Sequence, residues 1–157
     1  ETGIKAFAGQ RGNARSHSWK MRNWRRNQQW KGYWVINMME TDIKQYIEEK
    51  IPELKDRLFP VLTTDISKLS VVYLFTDISS DHVKESQLTL NVICSDYDEC
   101  MDVHQKLKEI LAMESDQAFV KYQDTYFHSE LSSGGGALFN DDLQMWEISK
   151  YYILNWR

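Results

Sequence analysis

Residues 85–111 read ESQLTLNVICSDYDECMDVHQKLKEIL, and they decide the fold. From Gln87 to Cys94 the chain alternates. Leu88, Leu90, Val92 and Cys94 share one face and Thr89 and Asn91 the other, with Ile93 the exception. That is the period of a half-buried strand. Asp96 followed by Glu99 then has the spacing of a capping box, with Asp as the cap. Behind it Cys100, Val103, His104, Leu107, Ile110 and Leu111 form one stripe of an amphipathic helix, with Asp102, Lys106, Lys108 and Glu109 off it. A strand that passes through a short polar step straight into a helix predicts helices packed on a sheet.

Upstream, Leu69 to Ile78 (LSVVYLFTDI) is β-branched and aromatic with almost no polar break, which predicts a strand with both faces covered. Residues 79–85 are turn material. Before it, Ile43, Tyr46, Ile47, Ile51, Leu54 and Leu58 recur at helical spacing. Thr41 is the expected N-cap, with Asp42 at the positive end of the helix dipole. Pro52 should kink or divide this helix and Pro60 should end it. A further short strand fits around Val61 to Ile66. Downstream, Tyr122 to Leu131 reads as a strand. Ser132-Ser133-Gly134-Gly135-Gly136-Ala137 opens a loop that Asn140-Asp141-Asp142 closes. The last strand runs from Leu143 to Trp156, with Gln144 and Lys150 breaking its apolar alternation. The order is α–β–β–α–β–β. The expected fold class is α+β: an antiparallel sheet of four to five strands with two helices on one face.

Charge divides the chain near Met38. Residues 1–37 hold eight Lys and Arg against Glu1 alone, about +7, whereas residues 38–157 balance at roughly −11. Four of the six tryptophans (Trp19, Trp24, Trp30, Trp34) lie in the first segment. Residues 1–37 show no period and read as an extension that stays extended or disordered until a partner orders it. Arg15, Trp19, Arg22, Trp24, Arg25, Arg26 and Trp30 would serve as a nucleic-acid or protein-docking arm. An alternative starts the natural product at Met38-Met39, with Lys31-Gly32 a translated ribosome-binding site. Residues 38–157 form the expected domain.

Chemistry is thinly represented. SSGGGALFNDD joins two strands and ends in acids, which would repel a phosphate, so a mobile hairpin tip is the expectation. Asp96, Asp98, Glu99 and Asp102 sit where helix N-termini favour acids and lack the spacing of an oxygen-ligand loop. Cys94 and Cys100 read as small buried hydrophobes. Among them, His82, His104 and His128, no zinc-like spacing occurs. His104 is expected partly buried with one nitrogen hydrogen-bonded. His17, His82, His104 and His128 lack any nucleophile context. No catalytic residue, cofactor, metal or small-molecule substrate is expected. No apolar run approaches the ~20 residues that span a bilayer, and no secretory pattern opens the chain, so a soluble intracellular protein without membrane contact is expected.

With these elements in place, residues 39–157 resemble the small tail terminator (tail completion) proteins of long-tailed siphovirus-type phages. The resemblance rests on METDIKQYIEEKIPEL as the leading helix and LSVVYLFTDISSD as an apolar strand ending in a polar turn. ESQLTLNVICSDYDECMDVHQKLKEIL follows as a strand running through an aromatic step at Tyr97 into a helix. SSGGGALFNDDLQMWEISKYYILNW then supplies a glycine loop before an aromatic closing strand. It implies a homo-oligomeric ring, usually a hexamer. The ring sits on the head-proximal end of the tail tube, stops tube polymerisation and meets the head-completion or connector protein, with DNA passing through the lumen. It implies a virion protein assembled in the bacterial cytoplasm, without enzymatic activity. On this reading Ser133, Gly134, Gly135, Gly136, Leu138, Phe139, Asp141 and Asp142 contact a neighbouring subunit or partner. The near alternatives are a head-completion, neck or minor capsid protein. A small nucleic-acid-binding protein using the basic segment is the alternative of another class.

Overall fold

The computed structural model describes residues 30–157 apart from Ile66 and Ser80, and for residues 30–38 the backbone alone. Within the unit Val35–Arg157 two helices cover one face of a seven-stranded sheet. Helix α1 spans Trp30–Lys50 and a 3-10 turn spans Pro52–Leu54. Strands β1 (Leu58–Pro60), β2 (Ser70–Ser79) and β3 (Lys84–Cys94) follow, then helix α2 (Tyr97–Leu111). The chain closes with β4 (Val120–Tyr122), β5 (Thr125–Gly134), β6 (Leu138–Asn140) and β7 (Met145–Trp156). The strand order is β1-β2-β3-β7-β5-β4, with β6 continuing along β7 on the β5 side.

The α+β class and the single covered face follow from side-chain parity. Leu88, Leu90, Val92 and Cys94 of β3 face the helices beside Tyr152, Ile148 and Trp146 of β7. Helix α2 packs there through Cys100, Val103, Leu107 and Leu111, all buried. Asp96 caps it, its carboxylate accepting from the Glu99 N–H at 3.0 Å. Helix α1 contributes Met39, Ile43, Tyr46 and Ile47, and Tyr46 meets Phe127 of β5 edge-on at 5.1 Å.

Several expectations are corrected. Helix α1 begins at Trp30, so Thr41 is no N-cap. Asp42 lies mid-helix, is 7% exposed, and accepts from the Thr125 hydroxyl across the core. The helix stops at Lys50 because Pro52 supplies no N–H to continue it. Leu58 therefore belongs to β1, and Pro60 ends a strand rather than a helix. That strand replaces the one anticipated at Val61 to Ile66 and pairs parallel with β2, so the sheet is mixed. Strand β2 has one covered face only: Leu74 and Ile78 are 47% and 52% exposed. The region Tyr122 to Leu131 divides at the Gln123-Asp124 turn into β4 and β5. Seven strands thus replace four to five.

Tyr152 sits at the centre of the core with no exposure, and its hydroxyl finds no partner among the described residues. Burial pushes its phenol up to about 12. An unpaired buried hydroxyl is destabilising. Tyr152→Phe should therefore raise the unfolding free energy by about 1 kcal/mol in urea titrations, where core substitutions normally lower it.

Candidate assembly interface

The two lateral edges of the sheet expose apolar side chains of different character. On the β1 edge the chain turns at Val61. The Val61 N–H donates to the Tyr73 carbonyl at 2.8 Å, and the Leu62 N–H donates to the Pro60 carbonyl at 2.7 Å. The second bond closes a three-residue turn, and Val61 holds φ at +66° to make it. Such a turn is rare and strained, and a β-branched residue in the left-handed region is an outlier. Val61 and Leu62 then project at 66% and 67% exposure. The returning loop is held by Arg57. Its guanidinium donates to the Leu69 carbonyl (2.7 Å), the Lys68 carbonyl (3.2 Å), the Ser70 hydroxyl (2.8 Å) and the Asp65 carboxylate (2.6 Å). That donation holds the Asp65 carboxyl below its ordinary value. Lys55 and Lys68 are exposed, as are Asp56 and Asp65 of the same segment; Lys55 lines a cavity with Glu48 and Glu49, and Lys68 one with Glu53 and Glu99.

On the β6 edge, three aromatic rings make a corner. Trp146 meets Tyr97 at 5.0 Å and Phe139 at 5.1 Å, both edge-on. Cross-strand register sets the second pair, since Phe139 stands opposite Trp146. The start of α2 delivers Tyr97. Phe139 is 42% exposed, Leu143 40% and Met101 38%, whereas Leu138, 71% exposed, stands opposite Glu147 on the other face of β6 from the rings. Segments 95–102 and 132–149 supply acids (Asp96, Asp98, Glu99, Asp102, Asp141, Asp142, Glu147) and contain no Lys or Arg. Of these acids, Asp102 is paired with Lys106 at 2.6 Å, Glu99 shares a cavity with Arg57 and Lys68, and Glu147 faces away from Trp146 and accepts from Asn91 and Asn140.

The residues proposed from sequence for subunit contact do not form one group. Phe139 belongs to this corner, Leu138 to the other face of β6, and Asp141 and Asp142 to the turn between β6 and β7. Ser133 and Gly134 lie within β5, and Gly134 is pressed onto β7. A Cβ there would stand 2.2 Å from Lys150 Cδ and 2.9 Å from the Ser149 carbonyl oxygen. The Lys150 ammonium donates to the Gly135 carbonyl at 2.9 Å. The triglycine is therefore a step between β5 and β6, and not a hairpin tip. The tip is Asp141–Gln144, where the Asn140 side chain accepts from the Asp142 and Leu143 N–H groups, both at 3.1 Å. Gly135 and Gly136 have open space around them. Arg15, Trp19, Arg22, Trp24, Arg25, Arg26 and the Trp30 side chain, with His17, lie outside the described residues. Sequence reasoning missed Val61 and Leu62 as exposed. It met Tyr97 only through a family resemblance and read Trp146 as one apolar position in a strand.

The three described histidines do not converge on this corner or on one another. His82 is in an exposed turn. His128 is buried, with Nε2 2.9 Å from the Glu114 carbonyl and Nδ1 3.5 Å from Glu130. His104 is half-buried, and its Nε2 has no partner among the described residues, against the expected hydrogen bond. Burial first, then the charges of Lys150 and Lys108, holds the His104 imidazole below its ordinary value. The unfolded chain takes up a proton near pH 6.5, which the folded chain resists. Stability is thus present above that pH and declines as pH falls through it. The melting temperature should drop on going from about pH 7.5 to about pH 5.5, and His104→Gln should flatten that drop. Both cysteines are buried as expected; the Cys100 thiol points at the Val92 and Trp146 carbonyls, each at 3.7 Å.

No family model matches the chain, and no curated protein matches it. Among solved structures, one protein without a functional description aligns over 82% of this chain and 97% of its own, at TM-score 0.57 and 10% identity. A chain from the virion of a native gene transfer agent particle aligns over 69% of this chain and 90% of its own, at TM-score 0.49 and 9% identity. The first likeness is one of fold: the arrangement of helices and sheet recurs in a chain of similar span.

Proposed function

We propose that this chain is a structural subunit of a phage virion. Its copies close into a ring, of six as the resemblance implies, that caps the head-proximal end of the tail tube. There the ring stops tube polymerisation and forms the joint to the head connector. One observation carries the reading: unlike apolar patches stand exposed at opposite edges of the same sheet. An isolated monomer has little reason to keep both, since large exposed apolar patches mark contact sites. Unlike patches on opposite sides suit heterologous contacts, which generate rings when the rotation closes. The element order quoted for the tail terminators supports the same reading, since the helix, the strand with its polar turn, the strand-into-helix step and the aromatic closing strand each have a counterpart. The role requires no chemistry from the chain. The cap would act by covering the growing end of the tube.

The test is electron microscopy of polymerising tail tube protein with and without the full chain. Tubes should stop at a defined length and carry a ring at one end. Tubes of unchanged length with bare ends would refute the role.

A further inference from the structure

The ring reading does not say how copies hold together. Strand β2 runs for ten residues, Ser70–Ser79, but β1 covers only Val71, Val72 and Tyr73 on its outer side. The chain leaves the sheet at the strained Val61 turn, once the Val61 N–H has bonded the Tyr73 carbonyl. Burial records where the cover stops. Ser70, Val71 and Tyr73 are buried and Val72 is half-buried, whereas Leu74, Thr76, Asp77 and Ile78 are exposed. Backbone direction follows from parity. The Val71 N–H donates to the Arg57 carbonyl and the Tyr73 carbonyl accepts from Val61, so the odd-numbered residues turn their polar groups away from β3. Phe75 and Asp77 share that parity. Their N–H and C=O groups point off the sheet and have no partner among the described residues. An uncovered edge of this kind is a template for another strand.

The opposite side of the sheet carries a counterpart. Strand β4 covers β5 only at Thr125, Tyr126 and Phe127, and the Met113 N–H takes the Ser129 carbonyl. Beyond them residues 130–134 are all exposed. The Ser129 carbonyl points off the sheet, and Leu131, two residues on, shares its direction. A bulge between Leu131 and Ser133 leaves Ser132 unpaired with β7. The side chains of Ser132, Ser133 and Gly134 are small, so a second backbone can come close. The directions agree as well. Strand β2 is antiparallel to β3, β3 to β7 and β7 to β5, so β2 and β5 run oppositely. In copies turned about an axis along the strands, β5 of one copy meets β2 of the next as an antiparallel pair.

Resting on the ring reading, we propose that the Leu74–Asp77 edge of one copy takes residues 131–134 of the next copy as an added antiparallel strand. The sheet then continues from copy to copy. Main-chain hydrogen bonds supply the attraction in such a join, and neighbouring side chains set the register. Asp77 is the one charged residue in the two runs, and its carboxylate accepts from the Ser86 hydroxyl at 2.9 Å. No like charges therefore meet within the join. Each copy owns both edges, and closure of the ring leaves neither open.

The experiment uses the full chain and the single variants Asp77→Pro and Leu131→Pro, with Asp77→Ala and Leu131→Ala as controls, sized by light scattering. Proline is tolerated on an edge whose N–H faces solvent. Each proline variant should therefore fold, as circular dichroism would verify, while lacking one donor that the join needs. Wild type and both alanine variants should form rings, and each proline variant should need about tenfold more protein to do so. Hydrogen exchange on the wild type supplies a readout that depends on no variant. In the ring the amides of Phe75, Asp77 and Leu131 should exchange at least about tenfold more slowly than in the monomer obtained by dilution. The amides of Leu74 and Thr76, turned toward β3, should be slow in both. Rings formed equally well by the proline variants would overturn the join and leave the ring reading standing, as would unchanged exchange at Phe75, Asp77 and Leu131. Protection of Phe75 and Asp77 without Leu131 would overturn it too, since the edge would then have another occupant. A wild type that is monomeric both alone and with tail tubes would bring down the ring reading and this join with it.

Discussion

Gly134→Val should lower the unfolding free energy by about 3 kcal/mol, at the upper end of what overpacking costs, and should separate β5 from β7. The added atoms cannot be absorbed by side-chain movement alone. The Lys150 stem at 2.2 Å from the new Cβ could swing away, but the Ser149 carbonyl at 2.9 Å and Lys150 Cα at 3.2 Å are backbone. The strand itself has to retreat. The retreat would break the hydrogen bond from the Gly135 N–H to the Ser149 carbonyl, now 3.1 Å, and the Gly134 to Lys150 pairing. A side chain added one or two residues later should behave differently. Gly135→Ala and Gly136→Ala meet nothing within 4 Å. Each should be neutral or stabilising by up to about 0.5 kcal/mol, through the reduced freedom of the unfolded chain. Urea titration of the three variants checks this. Equal losses at all three positions would mean that the triglycine is not the packed step described.

Arg57→Ala should destabilise by about 2 kcal/mol, the net value of its bonds to the Leu69 carbonyl and the Ser70 hydroxyl. Ser70 is fully buried, and its hydroxyl also donates to the Asp65 carbonyl at 2.7 Å, so the network would lose its organiser. The ion pair with Asp65 adds little, since that carboxylate is half exposed and solvent screens it. Arg57→Lys should recover less than half of the loss, because an ammonium cannot fork toward four acceptors. Thermal melts measure the stability term. Increased protease cleavage between Val61 and Lys68 would report the loosened loop, and complete rescue by Lys would contradict the forked arrangement.

How much of this was legible in sequence depended on the range of the forces involved. Helix α2 was legible because its determinants are local: the Asp96 cap and the Cys100, Val103, Leu107 and Leu111 stripe lie within 16 residues. For the first helix the stripe named buried residues correctly, but not their conformation. Ile51, Leu54 and Leu58 are all buried, yet they belong to a coil, a 3-10 turn and a strand. Burial at spacings of three and four survives the Pro52 break, so periodicity cannot see it. The parallel pairing of β1 with β2 is a tertiary choice with no local mark. In the glycine run a mark did exist. Lys150 breaks the alternation of β7 on its helix-facing side, and a long stem there needs room, which Gly134 supplies.

The candidate interface was half legible. Leu138, Phe139, Asp141 and Asp142 were named through the family resemblance, and of these Phe139 lies at the aromatic corner. Val61 and Leu62 were absorbed into an anticipated strand, and only the left-handed turn at Val61 exposes them. Trp146 was counted as one apolar position among several. From the end of β7 it packs partly buried against the core and also meets Tyr97 and Phe139 edge-on.

The central claim is that identical copies close head-to-tail. It is tested most directly by the solution mass of the full chain, measured by light scattering over a wide concentration range, with and without tail tube protein. Closure predicts one discrete species of six protomers that stops growing as concentration rises. A mass fixed at the 18.6 kDa protomer under every condition, or one that climbs without limit, would contradict it.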